Sequence, residues 1–379
     1  MAHSLWKVGV ELELIAPVGS NRYLLAEAIA QTLDEGDVLP IFHYESEPSK
    51  VPGQEIFQNL TLGFEVQDQR GQWVVRCVDD LTIQADLNAQ TPPKPGWFRV
   101  VSDDRRLLRL VDRHADWERG FPELLEPVAE LFGAPLKRLD GGLVGLYDTA
   151  GDSIFIGAPL PGERERPCEL ITAPLTEDRA TKLKAWTSLA QSLGFLIPQE
   201  GATHLHFDAQ PLKSAGAFRA LILLFAEWGE VLKALVHTNP RCTRLGPWRA
   251  PLIELVQEEG FEERTWAQVH ERLDTLTLTK YCDFNILNMI RADPHKDTFE
   301  VRILPSRLDV EELLMSVELF EALLRSCVSG RALQSSASSK GTAQLATLKA
   351  LLKELRDAEL LTSEALHFWL KRAASSGPS

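Results

Sequence analysis

Three segments of the chain alternate apolar and ionisable residues with the two-residue period that marks a β-strand. Over Val8–Ile15, Glu11 and Glu13 fall on one face and Val10, Leu12 and Leu14 on the other. Over 203–208, His204, His206 and Asp208 share a face opposite Leu205 and Phe207. Over 299–303, Glu300 and Arg302 share a face opposite Phe299, Val301 and Ile303. Strand patterns also occupy 54–85, where 64–66 and 73–83 flank the turn-like Asp68-Gln69-Arg70-Gly71, a hairpin-like stretch at 141–156, the short 169–173, and 286–303.

The helical period predicts a first helix capped by Ser20 that carries Leu24, Leu25, Ile29 and Leu33 on one side. Residues 105–132 are mostly helical in composition, with Pro122 and Pro127 interrupting them. A Thr176 cap opens a helix through Leu193, closed by Gly194. Residues 215–237 are apolar on most sides, which predicts a buried helix, and Asn239-Pro240 stops it. Helices are also expected over 310–324 and near 347–361. Because the hairpin-like pairs do not form successive βαβ units, the expected fold class is α+β. Its sheet would be mainly antiparallel and covered on one side by helices.

Composition narrows the function. At 379 residues, with 44% apolar and 25% charged residues, the chain has the balance of a soluble globular protein with a large core. A net charge of −14 argues against a nucleic-acid partner, which needs clustered Lys and Arg, and suits a protein that binds divalent metal. Met1 to Lys7 has no apolar signal region, and the longest apolar run, 220–226, falls far short of a span, so neither export nor a membrane is expected. Five scattered cysteines without a CxxC pair fit reduced thiols in a cytoplasmic protein, and Cys168 reads as a packing thiol.

Taken singly, each charged strand face is what a half-exposed antiparallel strand shows to water. Together they imply a sheet whose face collects carboxylates, imidazoles and a guanidinium, a combination that can bind hard cations and hold a polyphosphate between them. The order of motifs sharpens this. Gly9-Val10-Glu11-Leu12-Glu13 is followed by Asp80-Leu81-Thr82-Ile83, Glu169-Leu170-Ile171-Thr172-Ala173-Pro174, Thr203-His204-Leu205-His206, Lys280-Tyr281-Cys282-Asp283-Phe284-Asn285 and Phe299-Glu300-Val301-Arg302. Over residues 8 to 309 this succession resembles the amidoligase family, relatives of glutamate–cysteine ligase and, more distantly, glutamine synthetase.

The resemblance implies a curved, mainly antiparallel sheet forming a half-barrel active-site face, with helices outside. It also implies an ATP- and Mg2+-dependent, ADP-forming ligase that joins a small-molecule or peptide carboxylate to an amine through an acyl phosphate. Glu11, Glu13, Asp80, Glu169, His206 and Glu300 would be the ligands of two or three magnesium ions, with manganese as an alternative. Arg302 would face the transferring phosphate, and Arg241 and Arg244, in a loop after the buried helix, would bind phosphate or the substrate carboxylate. Lys280 and Asn285 would contact nucleotide, and His204 would be a further ligand or would orient His206.

A catalytic domain is expected over 1–330, with an insertion at about 87–166 where substrate selectivity would reside. A Ser/Ala-rich linker (335–339), a C-terminal helix and a frayed tail would complete 331–379. Two other readings keep the same residues: a non-catalytic descendant that binds a nucleotide or a protein, and a cupin-like metal enzyme. The cupin pattern, however, wants a glutamate shortly after the second histidine, where Asp208-Ala209-Gln210-Pro211-Leu212 has none. The sequence names neither the acid, the amine nor the oligomeric state.

Overall fold

The computed structural model describes residues 6–47, 57–291, 296–330 and 341–375. Strand β1 (Val8–Ile15) leads to helix α1 (Arg22–Ala30) and then to strands β2 (Asp37–Glu47), β3 (Phe57–Gln67), β4 (Trp73–Val78) and β5 (Phe98–Ser102). Helices α2 (Arg105–His114) and α3 (Glu126–Leu131) precede β6 (Lys137–Arg138), β7 (Val144–Tyr147), β8 (Ser153–Pro159) and β9 (Pro167–Thr172). After α4 (Arg179–Ser192) come β10 (Ala202–Asp208), the long α5 (Ala215–Val236), α6 (Ala250–Gln257) and α7 (Trp266–Asp274). The short β11 (Phe284–Asn285) and α8 (Leu287–Ile290) lead to β12 (Thr298–Pro305) and α9 (Val310–Val328), and α10 (Gly341–Asp357) and α11 (Ser363–Ser375) end the described chain.

The chain divides into two compact units. The first comprises Met1–Leu12, Pro174–Thr187 and Gly201–Ser379; the second comprises Glu13–Ala173 and Ser188–Glu200. Strand pairing within each is antiparallel, so the fold mixes helices with antiparallel sheet.

In the first unit the strands run β11-β12-β10-β1. The period of two divides their residues as the sequence predicts. Phe284 and Phe299 turn to an aromatic core with Phe225 of α5 and Phe320 of α9, at ring separations of 4.4 to 6.4 Å. Their neighbours Asn285 and Glu300 therefore face the other way. Helix α5 ends where His237 adopts a left-handed backbone, φ 56°, just before Asn239-Pro240.

In the second unit β9, β4 and β3 are successive neighbours. β2 lies along one edge of β3 for its full length, while β4 and β5 share the other edge. One face is apolar: Leu60, Leu62, Phe64 and Val66 are buried, and α1 packs there through Leu25 and Ile29. Arg22 anchors that helix. Fully buried, it donates to the carbonyls of Leu62 at 2.6 Å and Arg164 at 2.7 Å, and its guanidinium lies 4.6 Å from the Trp97 ring centre. A buried guanidinium is tolerated because its donors meet carbonyl acceptors.

Several expectations need correction. Asn21, not Ser20, caps α1, its side chain accepting from the Leu24 amide, and the helix ends before Leu33. The stretch 73–83 is strand only to Val78; Asp80 lies in the turn that follows. Pro127 does not interrupt a helix but opens α3, where a missing N–H costs nothing. Residues 286–303 contain helix α8 before β12; the expected helix near 347–361 is α10, which ends at Asp357, and α11 went unpredicted. Strands β2 and β5 and helices α6 and α7 went unpredicted. The expected linker at 335–339 and tail at 376–379 lie outside the described residues.

Candidate metal and phosphate centre

Cross-strand register assembles the first unit's polar face. Glu11 stands opposite His204, His206 stands opposite Glu300, and Glu300 stands opposite Asn285. Between Thr203 and Leu205 the pairing with β12 slips by one residue, so that Arg302 and Ile303 together oppose His204. Such a bulge re-aims a side chain, and here it leaves Arg302 beside Glu300. Within this unit the structure thus brings together Glu11, His204, His206, Asn285, Glu300 and Arg302.

None of the carboxylates or imidazoles is on a wet face. Glu11, His204, His206 and Glu300 are only 4 to 8% exposed, which removes the half-exposed-strand explanation. Ligand atoms of Glu11, His206 and Glu300 all lie within 4.8 Å of one another. His206 Nε2 sits 3.0 Å from Glu11 Oε1, yet off the line of a hydrogen bond. Three such atoms within 4.8 Å of one another are near enough to share one metal ion. His206 Nδ1 is 3.1 Å from Thr298 Oγ1, a contact that fixes the ring with Nε2 toward the carboxylates.

Each carboxylate is held by donors. Glu300 accepts from Arg302 at 2.7 Å on one oxygen and from Asn285 at 2.7 Å on the other, with Asn288 at 3.4 Å. Glu11 is 3.2 Å from His204 Nδ1 and 3.3 Å from Lys296 Nζ. Burial by itself would raise both acids. The charge of His206, followed by Arg302 at Glu300 and by Lys296 and the His204 hydrogen bond at Glu11, outweighs it. Glu300 falls to about 2 and Glu11 well below the ordinary carboxylate range. Both therefore stay ionised inside the protein, as ligands of a divalent cation must. Arg302 keeps its buried Nε without a hydrogen-bond partner among the described residues.

The arginine loop is tied to the same strands. Thr238 Oγ1 donates to the Ile303 carbonyl at 2.7 Å, and Trp248 Nε1 to the Phe284 carbonyl at 2.6 Å. Asp283 accepts from the Gly246 amide at 2.9 Å, and its own carbonyl accepts from the Arg302 amide at 3.0 Å. The guanidinium of Arg244 lies 5.5 Å from the ring centre of Tyr281 and the ammonium of Lys280 lies 5.6 Å from it. Arg241 and Lys280 are exposed. Burial pushes the Cys282 thiol up to about 12, so it is no nucleophile.

The remaining predicted ligands belong to the second unit. Glu13 is buried on the last part of β1. Asp80 is buried and accepts from the Thr82 amide at 2.7 Å and its hydroxyl at 2.8 Å, closing a turn rather than lying on a strand. Arg164 holds that turn, pairing with Asp79 and donating to the carbonyls of Ile83 and, at 2.7 Å, Asp80. Glu169 is buried on β9, opposite Val78. Its carboxylate lies with His43 and Glu45 of β2, ligand atoms again within 4.8 Å of one another. Strands β4 and β3 intervene, and at about 4.8 Å per strand a flat sheet would hold β9 and β2 about 14 Å apart. The sheet of this unit is therefore strongly bent.

Sequence reading missed Asn288, Lys296 and Thr298 in the first unit and His43 and Glu45 in the second. His43-x-Glu45 carries the same period-two signal as the other strands, in a β2 that contains Pro40. Proline is tolerated because β2 pairs with β3 through one edge only.

No helix among the described residues is long and apolar enough to cross a membrane. No curated protein matches the chain. A solved structure reported as "Crystal structure of novel glutamine synthase homolog" is 13% identical, with 94% of this chain and 69% of that chain covered and a TM-score of 0.27. A family model described as "Putative amidoligase enzyme" matches residues 4–324. With nearly the whole chain matched and a buried carboxylate–imidazole centre on its β-strands, the protein belongs to the amidoligase family.

Proposed function

We propose that the protein is an ATP- and magnesium-dependent, ADP-forming ligase that joins a carboxylate to an amine through an acyl phosphate. The observation that carries this reading is the convergence of Glu11, His206 and Glu300 beside Arg302, whose buried Nε has no hydrogen-bond partner among the described residues. Two ionised carboxylates suit a hard cation, and an imidazole fixed by Thr298 adds a nitrogen donor. Glu11, His206 and Glu300 would hold one magnesium or manganese ion. Bound there, it would neutralise phosphate oxygens, which is the chemistry that phosphoryl transfer demands.

A carboxylate oxygen leaves poorly, so amide formation in water needs prior activation. In the proposed reaction a substrate carboxylate oxygen attacks the γ-phosphorus of ATP and ADP departs. The amine then attacks the acyl carbon, phosphate leaves, and the amine loses its proton. Arg302 donates one N–H to Glu300, which fixes its guanidinium, and its Nε would meet the charge that develops on the phosphoryl oxygens. Arg244 and Lys280 flank Tyr281 on a segment tied to Arg302 through Asp283, and they would bind the nucleotide or the substrate carboxylate. Arg241 would assist from the same loop, and Asn285 would hold Glu300 in place. By the family resemblance, Glu13, Asp80 and Glu169 would hold further cations of the same reaction, on a half-barrel face like that of glutamate–cysteine ligase. The substrates would be small molecules or peptides in the cytoplasm.

Hydroxylamine tests this without knowledge of the natural amine. Incubated with ATP, magnesium and a panel of carboxylic acids, the protein is expected to form a hydroxamate and ADP in equal amounts. Formation of AMP and pyrophosphate would replace the acyl phosphate with an acyl adenylate. No nucleotide cleavage with any acid would remove the ligase reading.

A further inference from the structure

The two counter-cations of the first unit's centre are held in different ways. Arg302 is built into the sheet: its side chain is 13% exposed and it meets Glu300 Oε1 at 2.7 Å. Lys296 stands just before β12 with its side chain 49% exposed, and it reaches the buried Glu11 from outside, Nζ to Oε1 at 3.3 Å. The root of that side chain is anchored. The neighbouring Asp297 carbonyl accepts from the Ala209 amide at 3.1 Å, and the Asp297 carboxylate accepts from Lys213 Nζ at 2.6 Å. Lys296 is therefore a half-exposed arm on a fixed base, and its flexible four-carbon stem lets the ammonium move while the strand stays in place.

The oxygen that Lys296 holds lies on the side where an ion would sit. Glu11 Oε1 is 3.0 Å from His206 Nε2, whereas Oε2 is 3.2 Å from His204 Nδ1. A magnesium ion sits about 2.1 Å from a carboxylate oxygen, so an ammonium left in place on Oε1 would lie no more than about 5.5 Å from the ion. At that separation, beside buried groups, the two positive charges repel strongly. Arg302, enclosed next to Glu300, has no room to give way; Lys296 has. We propose that Lys296 is a placeholder for the metal. Its ammonium takes the ion's place on Glu11 in the metal-free protein, the incoming divalent cation displaces it, and the released ammonium turns to the phosphate chain of the nucleotide. The buried carboxylate thus keeps a positive neighbour throughout, first the ammonium and then the ion. A point charge on a flexible stem suits phosphate. The competition with metal stands apart from the ligase reading; the phosphate contact rests on it.

The test is calorimetry on the full chain, first with manganese alone and then with ATP at saturating magnesium. Without nucleotide, Lys296→Met is expected to bind manganese about three- to tenfold more tightly than the unaltered protein, because the ion no longer breaks an ion pair or faces its charge. Lys296→Arg keeps the charge and is expected to bind manganese as the unaltered protein does. Lys213→Met removes a lysine that pairs with Asp297 instead, and is expected to change metal affinity little. At saturating magnesium the order reverses. Lys296→Met is expected to bind ATP about tenfold more weakly, the size of a lost charge-assisted hydrogen bond, and Lys296→Arg to recover most of the loss. Misfolding does not tighten metal binding, so the sign of the change decides. Manganese affinity unchanged or weaker in Lys296→Met overturns the proposal, and so does an equal gain in Lys213→Met, which would mark a general effect of charge. Unchanged ATP affinity overturns the phosphate contact. No manganese bound by any form would remove the cation site and the ligase reading with it. Tighter manganese in Lys296→Met with no ATP bound by any form would sink the ligase reading and not the competition.

Discussion

The two polar faces of this protein are built from similar residues and balanced differently. In the first unit each buried carboxylate has a cationic neighbour: Glu300 has Arg302, and Glu11 has Lys296. In the second unit the carboxylates of Glu45 and Glu169 share their face with donors that have no partner. A set of ionised ligands with their counter-charges already in place suits a cation whose removal the fold survives. On the second face it is the donors Asn59 Nδ2, Thr61 Oγ1 and Arg99 Nε that lack a hydrogen-bond partner among the described residues. Residue type alone, His with two Glu in each case, does not distinguish the two; the neighbours do.

That contrast can be broken most forcefully at Glu300. Glu300→Gln keeps the shape and removes a charged ligand, so hydroxamate formation is expected to fall by about 10³-fold or more. His43→Ala, by contrast, is expected to leave magnesium-dependent nucleotide binding intact, as measured by calorimetric titration of ATP. Arg302→Lys retains the charge but loses the fork, and kcat is expected to drop about 10²-fold with little change in KM for ATP. An unchanged kcat would remove Arg302 from the phosphoryl site.

Smaller effects sharpen the contrast. Gly63→Ala places a methyl group 2.8 Å from Val78 Cγ1 and is expected to destabilise the fold by about 1–3 kcal/mol in denaturant titration. The smallest effect is in acid. Glu300 has a folded pKa of about 2 against an ordinary value of 4.5, so its contribution to stability is complete above about pH 4.5. That contribution is lost as pH falls toward 2. In metal-free protein, Glu300→Gln is expected to flatten the loss of stability across that window, as followed by thermal unfolding.

Much of the first site was legible because strand alternation is local. Glu11, His204, His206, Glu300 and Arg302 lie on strands whose apolar residues fixed which face they share. What the sequence did not reveal is register. Nothing in 203–206 announces that His206 stands opposite Glu300, or that a bulge brings Arg302 to bear. Asp80 was misread as strand because Leu81 and Ile83 alternate with it, whereas its carboxylate is used in a turn with Thr82. The second face was hidden more deeply. The approach of His43 to Glu169 comes from bending of a sheet, a long-range property that no short motif carries.

The most direct test is calorimetric titration of ATP into the protein, with magnesium and then with chelator, in parallel with Glu300→Gln. Binding that requires magnesium and disappears in the variant is the result predicted if Glu11, His206 and Glu300 form a cation site for nucleotide. Absence of binding to the unaltered protein under every metal condition, or equal binding by the variant, would contradict it.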